Sequence, residues 1–359
     1  MINSNTSFGK LKDVIVGREL ELTIRISDIT FRTFYKESLK QTVYDEPIKS
    51  YNVRLDLIEQ RNKELDDLSD TLRQYGINVY RPDTIKKIIK FKTPTFDSVL
   101  SSASNVRDVS IVYQNKIIET PVFVRNRYFE NISLYNIYNK FYNNGKGGQW
   151  IKAPHTSLVE DRMDLEDWTV TRDYDNFDSS LYDMAIDGAQ FLRIGRDVIV
   201  NISSYNQYLG YKWIESLYPD STFHPMYGLA DNHIDGVLCC LCEGKFLVDP
   251  KYPNIKEYIP NKFKNWDLLF PDDLTKNIDI KGMTDIDVRL ASSRGMDINV
   301  LSIDENTVVV NNRALGVKEI LSKNGFNVIE IELNHGEIFG GGIHCSTLDL
   351  NREDEYIYY

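Results

Sequence analysis

The clearest pattern of apolar and polar positions lies late in the chain, where Asn299-Val300-Leu301-Ser302-Ile303 passes through Asp304-Glu305-Asn306 into Thr307-Val308-Val309-Val310. Branched residues on both sides of a polar turn predict a hairpin. Val317, Ile320 and Leu321 follow at helical spacing, Gly325 after Lys323-Asn324 supplies a stop, and the stretch from Phe326 to Leu333 reads as a strand again. The predicted unit is strand, strand, helix, strand. Similar units can be read around Val109 to Ile118, around Asp197 to Leu217, and around Gly236 to Val248 with Glu243-Gly244 as the turn, although their sequences are not alike. A long helix is predicted from Leu55 to Tyr75, with Ile58, Leu65, Leu68 and Leu72 on one face and Gly76 ending it. From Leu158 to Tyr182 the periodicity weakens in an acidic, tyrosine-rich stretch that reads as a long loop or lid. Pattern alone therefore predicts a mixed α/β protein with several short sheets, without a dinucleotide-binding glycine fingerprint or a P-loop.

Composition removes function classes rather than choosing one. The chain has 359 residues, 42% hydrophobic and 26% charged, and no apolar run approaches the length of a membrane span. Its first residues, Met1 to Ser7, lack a charged head with an apolar stretch and are not an arginine-rich transit segment, so a cytoplasmic location is expected. The net charge of -11 opposes nonspecific phosphate-backbone binding, which excludes nucleic acid as the expected partner and is consistent with a cationic small molecule. Of the four cysteines, three cluster at Cys239, Cys240 and Cys242, which is not a disulfide framework. Cys240 and Cys242 are expected on one strand face as core residues, since no second ligand pair with zinc spacing accompanies them. No metal or cofactor is expected.

Candidate chemistry centres on Gly340-Gly341-Gly342-Ile343-His344-Cys345, where a nucleophile stands beside backbone free to approach a substrate. A cysteine becomes a candidate nucleophile when histidine and aspartate are available elsewhere in the chain, and Asn232-His233-Ile234-Asp235-Gly236 and Ile186-Asp187-Gly188 supply both. Each residue also has a plain structural reading. Cys345 is equally a small core residue, His233 a surface or satisfied core histidine, Asp187 a strand-end turn residue, Asp235 a turn before Gly236, and Asp108 a surface ion pair with Arg107. His344 is expected to point away from the site, because neighbouring residues face opposite sides.

These segments, in this order, resemble the glycine amidinotransferase and inosamine-phosphate amidinotransferase family. The likeness starts at Leu11-Lys12-Asp13-Val14-Ile15-Val16-Gly17 and continues through Lys92-Thr93-Pro94, Arg107-Asp108, Ile117 to Pro121 and Arg125 to Glu130. Ala153-Pro154, the Asp187 segment with Arg193 to Asp197, Tyr208-Leu209-Gly210, His233-Ile234-Asp235 and the Cys345 loop complete it. The resemblance implies an α/β fold of the pentein type, a five-bladed α/β propeller with pseudo-fivefold strand-strand-helix-strand modules, formed by residues 1–359 as one catalytic domain. It implies L-arginine as amidino donor, an amine as acceptor and a ping-pong route through an amidino-cysteine; a homodimer is left open. Cys345 is the implied nucleophile, His233 the acid and base, and Asp187 its orienting carboxylate. Asp108 and Asp235 are implied to grip the guanidinium, and Ser292 and Ser293 to lie near the amino-acid end of the donor.

Asn232 falls where family members differ and is expected to shape the acceptor pocket. Where the family has an arginine for the donor carboxylate, this chain has Tyr252, which leaves Lys251 as the nearest cationic substitute. Glycine, lysine, an aminocyclitol or a natural-product amine would all serve as acceptor. The alternatives are a guanidino-group hydrolase of the arginine deiminase type and a non-catalytic small-molecule binding protein.

Overall fold

The computed structural model describes residues 1–20, 23–24, 27–34, 50–85, 88–143, 145, 147–231, 233–275 and 296–359. Five three-stranded sheets repeat one plan: a middle strand runs antiparallel to one neighbour and parallel to the other. In chain order the middle strands are Lys10–Val16, Lys116–Glu119, Asp197–Ile202, Lys245–Val248 and Thr307–Asn311. A parallel neighbour requires a crossover, and helices Leu55–Gln74, Tyr135–Tyr142, Tyr205–Ser216 and Leu315–Lys323 provide it in four of the blades. In the fourth blade the connection is made of two short 3-10 turns, Ile255–Glu257 shortly after Pro253 and Asn261–Phe263 directly after Pro260. The five-bladed expectation is met.

Alternating side chains of each sheet serve two different cores. Val198 and Val200 pack toward the second blade, whereas Ile199 packs toward the fourth. In the last blade Val308 and Val310 face the fourth blade, and Val309 faces the first. Strands buried on both faces read as continuous apolar runs, which is why period-two alternation is faint in the sequence. Cys240 and Cys242 depart from the expected shared face. A register irregularity between them sends Cys240 into the core between the third and fourth blades and Cys242 toward the core between the fourth and fifth.

The first blade is assembled from both ends of the chain, because Thr347–Glu353 pairs antiparallel with Lys10–Val16. Asp354 reinforces this closure by accepting the backbone N–H groups of Asn5 at 3.0 Å and Thr6 at 2.7 Å. Inside the ring, fully buried Asp349 gathers three guanidinium groups: Arg107 Nη2 at 2.5 Å, Arg352 Nε at 2.8 Å, and Arg193 Nη2. Burial alone would raise its carboxyl, but the three arginines hold it well below the usual carboxylate range.

The tyrosine-rich stretch is irregular apart from the turns Glu160–Arg162 and Ser179–Leu181, as expected of a loop. It is pinned by a buried Arg172–Asp164 pair at 2.5 Å and by Tyr174 stacking on Tyr208 and Tyr227.

Candidate active site

Cys345 follows a turn whose glycines are demanded by their neighbours. A Cβ on Gly341 would stand 2.0 Å from Asn105 Oδ1, and one on Gly342 would stand 2.6 Å from Asn299 Oδ1. The glycines expected to let backbone approach a substrate instead make room for two asparagine side chains. Asn299 then holds the nucleophile from two sides, accepting the Cys345 N–H at 3.0 Å and placing Nδ2 3.1 Å from Sγ. Asn299 was read as the first residue of a strand, yet the strand begins at Leu301 and leaves Asn299 facing Cys345.

Asp235 sits in the 3-10 turn Ile234–Gly236, and its buried Oδ2 is 3.4 Å from Cys345 Sγ. The same oxygen is 2.7 Å from His344 Nδ1, so His344 does not point away as expected. Its backbone carbonyl instead faces Arg107 Nε at 2.8 Å, because the chain turns at this point rather than running as a strand. Burial and the Arg107 charge push the His344 imidazole down to about 4, leaving a neutral ring beside Asp235. The Cys345 thiol is pushed well above its ordinary value, first by burial and then by the Asp235 and Asp108 carboxylates.

His233 lies beside the other carboxylates, with Nε2 3.1 Å from Asp187 Oδ2 and Nδ1 3.7 Å from Asp108 Oδ1. Burial lowers its pKa, but Asp108 and Asp187 outweigh that and raise the imidazole to about 9. Asp187 is fully buried, and Gln190 fixes its backbone by accepting the Asp187 N–H at 3.1 Å. Phe34 covers the imidazole edge-on, with ring centroids 5.1 Å apart.

Asp108 is buried and does not pair with Arg107, whose guanidinium belongs to Asp349. Its partner is Arg127, which reaches Oδ2 at 2.7 Å and grips Glu130 at 2.8 and 3.0 Å. Among the described residues, nothing hydrogen-bonds to Asp108 Oδ1. In the sequence Arg127 and Glu130 stand out only as part of the family likeness, and two charges three apart give no sign of facing inward.

Lys251 is exposed in the turn after Lys245–Val248, where its backbone N–H donates to Asp249 Oδ1 at 2.9 Å. Tyr252 turns into the core between the third and fourth blades. Asn232, Ser292 and Ser293 lie outside the described residues. Among the described residues, no group of three or more His, Cys, Asp or Glu side chains is arranged to hold a metal, and no helix is long and apolar enough to cross a membrane.

No protein-family model matches the chain. Curated relatives do. The chain is 26% identical to the mitochondrial glycine amidinotransferase of Xenopus tropicalis over 364 residues, covering 97% of this chain and 82% of that protein. It is 27% identical to inosamine-phosphate amidinotransferase 1 of Streptomyces griseus, covering 100% and 99%. The solved structure of an inosamine-phosphate amidinotransferase from that organism superposes with a TM-score of 0.84 at 24% identity, covering 100% and 99%. An amidinotransferase of the saxitoxin biosynthetic pathway from Microseira wollei superposes with a TM-score of 0.81 at 27% identity over the same shares. The fold is the pentein α/β propeller of those proteins.

Proposed function

We propose that this chain, which belongs to the amidinotransferase family, moves the amidino group of L-arginine to an acceptor amine through a covalent intermediate on Cys345, with release of ornithine. The observation that carries this reading is the proximity of two sets of groups. Cys345 contacts Asp235, protonated His233 is paired with Asp187 and stands beside the open oxygen of Asp108, and the sets are close enough for Asp108 to act on the thiol and Asp235 on the imidazole.

The resting thiol is protonated, so attack requires a change that substrate binding itself brings. A guanidinium held between Asp108 and Asp235 neutralises the two carboxylates that keep the thiol proton in place, and the proton is lost to solvent. The thiolate then adds to the guanidino carbon, and the bond from that carbon to the nitrogen of the ornithine portion breaks. His233 gives that nitrogen its proton. The amidino group remains on sulfur. An acceptor amine next attacks the same carbon and loses a proton to the now neutral His233, while the carbon–sulfur bond breaks and the thiolate returns. Burial raises the Asp108 carboxyl, and His233 and Arg127 act against that rise, with Arg127 also fixing its orientation.

The acceptor stays at the level of a primary amine. The test is Cys345→Ala, for which transfer activity should vanish while arginine binding, measured calorimetrically, persists because both gripping carboxylates remain. Retained transfer in that variant removes the covalent route.

A further inference from the structure

Arg61 belongs to the long helix Leu55–Gln74, yet its guanidinium is fully buried and committed to the nucleophile loop. Nη2 donates to Gly341 O at 3.0 Å and to Ser346 Oγ at 2.7 Å, and Ser346 Oγ donates in turn to Gly342 O at 2.7 Å. One side chain thus ties the chain on both sides of Cys345. The tie does not explain the charge. A buried cation is costly unless a carboxylate neutralises it, and carbonyl and hydroxyl acceptors are equally served by an uncharged donor.

The neighbouring carboxylates are occupied elsewhere. Glu64 Oε2 stands 4.0 Å from Arg61 Nη1, while Glu64 is held by His335 Nδ1 at 2.7 Å and by the Asn334 N–H at 2.8 Å. Glu19 is bonded to Ser102, and its burial raises its pKa toward the neutral form. Glu337 is paired with Arg313. Among the described residues, Arg61 Nε and Nη1 have no hydrogen-bond partner.

We propose that Arg61 is a positioning residue for the transfer reaction: it fixes the loop that carries Cys345, and its under-neutralised charge favours the thiolate during attack. The groups that act on the thiol from its other sides are Asp235 and Asp108, which oppose ionisation, and Asn299, which favours it. His344 is neutral, Arg107 is engaged by Asp349, and the His233 imidazolium is held by Asp187 and Asp108, which leaves Arg61, bonded to Gly341 and Ser346 on either side of Cys345, as the cation on the helix side of the loop. Burial depresses the guanidinium, while Glu64, Glu19 and Cys345 act to restore it, which supports an electrostatic link between Arg61 and the nucleophile.

The inference rests on Cys345 being the nucleophile, and its test does not require amidino transfer to occur. Full-length Arg61→Gln and Arg61→Lys are treated with iodoacetamide across a pH series, and alkylation of Cys345 is followed by peptide mass spectrometry beside kcat and KM for arginine. In Arg61→Gln, alkylation at a fixed pH should slow about tenfold, equivalent to a profile displaced upward by about one pH unit. kcat should fall at least as far, with arginine KM held within about threefold. Arg61→Lys keeps the charge but not the fork, so it should recover the alkylation profile more than it recovers kcat. Leu68→Ala, a core change on the same helix, should lower Tm and leave the profile in place. An unshifted profile in folded Arg61→Gln overturns the electrostatic role. If that variant does not fold, Ser346→Ala decides: a reduced kcat at unchanged KM supports the loop tie, and wild-type kcat overturns it.

Discussion

Asp187→Asn keeps the shape of the side chain and removes the charge that lies 3.1 Å from His233 Nε2. A hydrogen bond to a charged group is worth roughly 1.5 to 3 kcal/mol, and about 1.4 kcal/mol corresponds to one pKa unit, so the loss amounts to about 1 to 2 units. The His233 imidazole, raised to about 9 in the intact site, should therefore titrate between about 7 and 8 in the variant. As a general acid His233 acts while protonated, so the alkaline limb of the rate profile reports the loss of that proton. The assay is ornithine release from arginine without acceptor, followed in single turnovers from about pH 6 to 10. The limb should move down by about 1 to 2 units, making the defect far larger at high pH than near neutrality. A uniform loss of rate with the limb unmoved would refute the assignment of the raised pKa to Asp187. Linkage has the same sign: because the folded-state value is raised from 6.5 to about 9, the stability it contributes is complete below about 6.5 and is lost as pH rises through about 9.

The arginine hub makes a prediction about stability. Asp349→Asn leaves Arg107, Arg193 and Arg352 buried without their shared carboxylate and should cost about 3 to 5 kcal/mol in chemical denaturation. Glu353→Gln, which touches only exposed or partly exposed pairs with Lys10 and Lys12, should change stability by less than about 0.5 kcal/mol. For donor recognition, Lys251→Met should raise KM for arginine and leave KM for agmatine, which lacks the carboxylate, unchanged; equal losses for both would remove Lys251 from carboxylate binding.

The elements most legible in the sequence were those whose pairing is local. The hairpin of Leu301–Asp304 and Thr307–Asn311, the helix Leu315–Lys323 and the strand Asn327–Ile331 fall close to their predicted bounds, as does the helix Leu55–Gln74. The first blade was not legible by pattern, because Lys10–Val16 finds its antiparallel partner at the other end of the chain and a window of neighbouring residues contains no trace of that pairing. The same separation governs the site. His233, Asp187, Asp108, Asp235 and Cys345 are named through resemblance, and the fold joins His233 to Asp187 and Asp108 and Cys345 to Asp235, whereas Asn299 is absorbed into a strand pattern that its apolar neighbours dominate. Arg61 was hidden by a sound rule. Charged residues on an amphipathic helix normally face solvent, and this one is buried against the glycine loop.

A covalent amidino group on Cys345 is read most directly by intact-protein mass spectrometry, followed by peptide mapping, of the wild-type enzyme incubated with arginine and no acceptor. The expected result is a mass gain of one amidino group that maps to the peptide containing Cys345, one ornithine released per active site, and discharge of the adduct when a competent amine is added. Continuous turnover to citrulline without any acceptor, or ornithine release that occurs only when acceptor is bound, would contradict it.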